Sequence, residues 1–124
     1  MPPVSADWEL EVTRGPGWLF VSVKPISTHE PFENLADVIW ELVQQHLVSR
    51  VTVELDHVPL LDSHLLGQLL LLNLRIKKHN GLLRICGLSP FNQRILSLHG
   101  LDGHLAAYPT RRDAVMGNEC RKPR

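Results

Sequence analysis

Cysteine is scarce in this chain, two in 124 residues, with Cys86 inside an apolar run and Cys120 near a polar end. Neither a disulfide framework nor a zinc site fits that spacing, and the cytoplasm, a reducing compartment, is the expected setting. Net charge is lacking too. Thirteen lysines and arginines balance thirteen aspartates and glutamates, and the seven histidines are mostly neutral at pH 7. No long-range field therefore draws the protein to nucleic acid or to an anionic membrane. Charge of one sign gathers only toward the end, where Arg111, Arg112, Arg121, Lys122 and Arg124 outnumber Asp113 and Glu119; residues 118–124 read as a polar, basic tail. The leucine-rich stretch is broken by Gln68, Asn73 and Arg75, so no membrane span is expected, and MPPVSADWELEV lacks the basic-then-apolar order of an export signal. Internal repeats, low-complexity blocks, a glycine-rich phosphate loop and a Gly-x-Ser-x-Gly nucleophile elbow are all missing. What remains is a single domain over residues 1–117, with neither an enzyme nor a bound cofactor indicated.

Periodicity orders the elements. Trp8, Leu10 and Val12 alternate with Glu9, Glu11 and Thr13, giving a strand over 7–13; Gly15-Pro16-Gly17 turns the chain into a second strand over 18–23, an antiparallel hairpin. A helix over 33–48 places Leu35, Val38, Ile39, Leu42 and His46 on one face, with His46 bordering the core. Strands over 51–55, 82–86 and 104–108 then alternate with helices. The first of these helices runs from about Asp62 to Lys78 and stops at Asn80-Gly81. The second opens at Ser89-Pro90, carries Phe91, Ile95 and Leu98, and ends at Gly100. The last is short and begins at the capping-box pattern Thr110 to Asp113.

Helical crossovers require parallel pairing of the later strands. Glu54 and Arg84 interrupt strands that are otherwise apolar, which points to one sheet face open to water. The expected fold is α/β: a small mixed sheet of about five strands, the hairpin plus parallel strands, with helices packed on one face. A doubly wound nucleotide-binding sheet is disfavoured.

The helix over 62–78 carries the strongest functional signal. Asp62 is a good N-cap and puts Ser63 in the first turn with its hydroxyl toward solvent. At 100° per residue Leu65, Leu69, Leu72 and Ile76 form the core stripe, and His64, Gln68 and Arg75 take a polar flank. Leu71 and Leu74 fall nearly opposite the core together with Gly67 and Lys78; they either form a partner or homodimer surface or lie beneath neighbouring helices. Adjacent side chains diverge by about 100°, so His64 is poorly placed to act as a base on Ser63. The spacings of Asp56, His57, Asp62 and His64, and of His99 and His104 around Asp102, match no metal-ligand signature.

Leu55-Asp56, Leu61-Asp62-Ser63, Leu66-Gly67, Gly81, Ser89-Pro90 and Gly100-Leu101 stand in one register within residues 51–115. With these motifs at this spacing, the stretch resembles the STAS domain of bacterial anti-sigma-factor antagonists. His64 replaces the family's second serine, Leu65 its following glycine, and Lys24-Pro25-Ile26-Ser27 its Gly-x-Leu-Asp. The resemblance implies a STAS-like fold and makes Ser63 the phosphoacceptor. It also implies partner switching: the unphosphorylated protein binds an anti-sigma factor that is also a serine kinase, and phosphorylation releases it. ATP and magnesium then belong to the kinase, and a serine phosphatase resets the cycle. Partner contacts are expected at Asp56, Asp62, His64, Gly67, Leu71 and Leu74. The alternative is a STAS scaffold or ligand-sensing module that uses no phosphate.

Overall fold

A computed structural model describes residues 8–25, 34–101 and 103–117. Their elements are β1 (Trp8–Gly15), β2 (Trp18–Pro25), α1 (Leu35–His46), β3 (Arg50–Glu54), α2 (Ser63–Lys78), β4 (Leu82–Cys86), α3 (Pro90–Leu98), β5 (Ala106–Tyr108) and α4 (Arg111–Met116). The expectations for Asp7, Glu33, Ile26-Ser27, Asp102, Cys120 and the tail over 118–124 lie outside the described residues. The strands form one five-stranded sheet in the order β1-β2-β3-β4-β5. Strands β1 and β2 are antiparallel, and the other neighbours are parallel. Gly17 sits in the hairpin turn at φ 73°, a conformation that a Cβ resists.

Because side chains alternate across a strand, Leu19, Val21, Val23, Val51, Val53, Leu55, Leu83 and Ile85 share one face. All are buried in one core with Leu35, Ile39 and Val43 of α1, Leu65, Leu69, Leu72 and Ile76 of α2, and Leu96 of α3. The α2 stripe is the one that helical periodicity selects. Its polar flank is used for docking rather than left in water: Gln68 Oε1 accepts from the Ala36 N–H at 2.8 Å, and Arg75 pairs with Asp37 at 2.7 Å.

The apolar set on α3 behaves differently. Phe91 and Leu98 are exposed, at 59% and 78%, while Leu96 and the polar Asn92 turn inward. Asn92 has partners waiting inside and Phe91 does not, so hydrogen bonding rather than hydrophobicity sets the rotation of this helix.

The sheet face bearing Glu54 and Arg84 is open to water only in part: Glu11 and Thr13 of β1 are exposed, but β3, β4 and β5 are covered. The six-residue α4 lies across it, with Ala114 packed on Cys86 and Tyr108. Arg111 of α4 grips Glu54 with two hydrogen bonds, and Arg84 Nη1 donates to the Ala114 carbonyl. The guanidinium of Arg111 stacks 4.5 Å from the Phe20 ring centre, and that of Arg84 lies 5.2 Å from Tyr108. Charges in these strands therefore mark where a short helix docks, and Glu54 is only 8% exposed.

Candidate functional site

Parallel strands of an open sheet present their carboxyl ends, and the loops that leave them, on one edge, where such folds place their sites. Here the loop leaving β3 runs from Leu55 to Asp62 and delivers the chain to α2. Leu55, Val58 and Leu61 of this loop are buried, and Asp56, His57, Pro59 and Leu60 are exposed. Two hydrogen bonds hold it from the side: Asn92 Oδ1 accepts from the Leu61 N–H at 2.9 Å, and Asn92 Nδ2 donates to the Val58 carbonyl at 3.1 Å. The side chain of Asn92 is fully buried, so the loop is fixed one residue before the Asp62 cap. Asn92 was not singled out from the sequence. An asparagine three residues past Ser89-Pro90 is locally ambiguous, and its partners lie more than 30 residues away.

Asp62 closes the loop and opens the helix. Extended at φ −84°, it accepts from the Leu65 N–H through Oδ1 at 2.9 Å. Ser63 is then the first helical residue, and both Ser63 and His64 are exposed. Helix geometry gives their N–H groups no intrahelical acceptor, and the positive end of the α2 dipole lies at this turn. The local potential at the Ser63 hydroxyl therefore favours negative charge, and the buried Leu65 and Leu66 lie on the other side of the turn.

Along α2, Gly67, Leu71 and Leu74 continue one exposed face away from this turn. Leu71 is 48% and Leu74 63% exposed, and a Cβ at Gly67 would meet open space. Among the described residues no neighbouring helix covers Leu71 or Leu74. All six expected contact positions, Asp56, Asp62, His64, Gly67, Leu71 and Leu74, thus lie outside the core: Asp62 is partly buried by its capping bond and the others are exposed.

On the opposite side of the β3 exit is a polar groove of about 460 Å³, where Asp56 and His57 meet Glu54, Cys86 and Arg111. Burial, then the negative charges of Glu54 and Asp56, push the Cys86 thiol up to about 12, so it is a neutral packing group and not a nucleophile. The hydrogen bonds that Arg111 donates to Glu54 raise its pKa further above its already high value and keep it charged. Gly87, at φ 79°, lets the backbone pass beside Asp56, whose carboxylate occupies the space a Cβ would need. Among the described residues, no three His, Cys, Asp or Glu side chains group so as to hold a metal ion, and no helix is long and apolar enough to cross a membrane.

Comparison with known proteins places this architecture. The fold is shared with an anti-sigma factor antagonist from Mycobacterium paratuberculosis, at TM-score 0.75 and 24% identity over 92% of this chain and 96% of the other. It is shared with an anti-sigma-factor antagonist (STAS) domain protein from Planctomyces limnophilus, at TM-score 0.72 and 21% identity over 87% and 96%. The phosphorylated form of the Bacillus cell fate determinant SpoIIAA superposes at TM-score 0.59 with 14% identity over 87% and 97%. No curated protein matches the sequence. The STAS domain family model, however, matches residues 8–114, from the first described strand into α4. The chain belongs to the STAS domain family.

Proposed function

We propose that this protein is an anti-sigma-factor antagonist that works by partner switching, with Ser63 as its switch. The unphosphorylated form binds an anti-sigma factor that is also a serine kinase; transfer of phosphate to Ser63 releases it, and a serine phosphatase restores binding. The reading is of a non-enzymatic binding module, with ATP and magnesium on the kinase. Its main support is the exposed Ser63 hydroxyl at the capped start of α2 on a loop that Asn92 immobilises. The shared fold with SpoIIAA, a protein with a phosphorylated form, supports it further.

The switching energy follows from placement. Within the protein a phosphate of about −2 charge meets the favourable end of a helix dipole and open solvent. Beneath a docked partner the same charge, next to Asp62, must shed water close to like charge. A loss of about 3 kcal/mol there lowers affinity roughly a hundredfold. In this reading the partner covers Asp56, Asp62 and His64 at the turn and Gly67, Leu71 and Leu74 along α2.

Intact-mass measurement with fragment mapping, on protein isolated from its native cell, tests the assignment. A subpopulation heavier by one phosphate at Ser63 is expected. Unmodified protein under conditions that both engage and release the partner would overturn it. A phosphate-independent scaffold is the competing reading, favoured by His64 and Leu65 in place of the family's small residues; partner assembly that persists with Ser63→Glu identifies it.

A further inference from the structure

At the other end of the sheet, where β3 and β4 begin, the carboxyl ends of α1 and α2 lie side by side around a cavity of about 400 Å³. Trp40, Val43, Leu47, Val48 and Ile76 supply its apolar lining, Gln44, Ser49 and His79 its polar lining, and no lysine, arginine, aspartate or glutamate contributes. The volume falls in the range of small-ligand sites, and the uncharged walls select a neutral occupant. Beside it the backbones of Gly81 and Ser49 pack closely, since a Cβ on Gly81 would approach the Ser49 carbonyl to 2.5 Å.

Two features point to a ligand of particular shape. The rings of Trp40 and His79 stand 4.7 Å apart at 50°, forming a corner that accepts a flat molecule against one face and an edge against the other. His79 Nδ1 lies 2.9 Å from the Arg75 carbonyl. A carbonyl only accepts, so Nδ1 carries the hydrogen; in the neutral imidazole Nε2 is then a hydrogen-bond acceptor on a residue that lines the cavity. Leu47 adds an independent observation. It holds a left-handed backbone at φ 54°, where glycine is the usual residue, and its side chain is 90% exposed at the cavity. Its exposed side chain leaves apolar area at the cavity that a bound guest would cover.

We propose that this cavity binds a small neutral aromatic molecule carrying one N–H or O–H donor, of the phenol or indole type. The inference does not rest on Ser63, whose turn lies at the opposite end of the sheet.

Titration of the full chain with indole, followed by calorimetry and by the indole N–H resonances of Trp8, Trp18 and Trp40, tests it. Saturable one-to-one binding on the order of 1 mM or tighter is expected for so small a ligand, with Trp40 shifting and the other two tryptophans still. His79→Phe keeps a ring and removes the acceptor, and should weaken indole about fivefold while leaving toluene binding unchanged. Leu47→Gly relieves the backbone, so it should fold at least as well as the parent and bind indole more weakly. Linear, non-saturating shifts up to about 10 mM indole would overturn the proposal, as would shifts at Trp8 or Trp18 alone, or self-association through Leu47 that closes the cavity. Binding by Ser63→Glu should equal that of the parent, so this result and the switch stand or fall separately.

Discussion

Asn92 holds Leu61: one buried side-chain amide on α3 accepts the Leu61 N–H and donates to Val58, and so fixes the loop that presents Ser63. Asn92→Ala leaves a buried N–H and a buried C=O without partners. A loss of about 2–4 kcal/mol in urea unfolding is expected, with faster hydrogen exchange at the Leu61 amide. Unchanged stability and exchange would mean that the loop is held by its apolar residues alone.

The ion pair between Arg111 and Glu54 should behave asymmetrically. Arg111→Ala strands a carboxylate that is only 8% exposed, whereas the half-exposed guanidinium tolerates losing its partner better. Solvent reaches the arginine side, which limits the expected loss for Arg111→Ala to about 1–3 kcal/mol by chemical denaturation. Glu54→Gln, which keeps a hydrogen-bond acceptor and removes the buried charge, should cost less. The reverse order would contradict a stranded Glu54 carboxylate as the source of the loss, because Arg111→Ala also removes the stacking on Phe20.

Much of this was legible locally. The alternation of Val51, Val53 and Leu55, the stripe Leu65-Leu69-Leu72-Ile76 and the caps at Asp62, Ser89 and Thr110 are short-range patterns, and each appears where periodicity puts it. What could not be read depends on partners distant in sequence. Glu54 and Arg84 look like solvated strand positions until Arg111 and the Ala114 carbonyl arrive from α4. Phe91 looks like a core residue until Asn92 claims the inward side of α3. The capped, exposed helix start at Asp62 and Ser63 was legible because capping is a property of a few neighbouring residues; the Asn92 clamp behind it was not.

Cys86 gives the fold a pH signature. Its folded pKa of about 12 lies above the ordinary 9.0, so between those values the unfolded chain has released a proton that the native state retains. Stability from this group is therefore complete below about pH 9 and declines as pH rises toward 12. In a Cys120→Ser background, iodoacetamide should label the native protein slowly at pH 8. The alkaline decline should shrink in Cys86→Ala relative to that variant's own neutral stability. Rapid native labelling would contradict a neutral, buried thiol.

Leu71 and Leu74 should separate binding from folding. Replacing both with glutamine removes exposed apolar area only, so stability should change by no more than about 0.5 kcal/mol per site. Affinity for the partner kinase, measured by calorimetry, should fall at least tenfold if these leucines are buried on docking. Unchanged affinity would confine the contact to the Ser63 turn.

The most direct test of the switch is the affinity of the purified partner kinase for this protein before and after stoichiometric phosphorylation at Ser63, at fixed ionic strength. The account predicts roughly a hundredfold weaker binding of the phosphorylated form. Equal affinity for the two forms would contradict it.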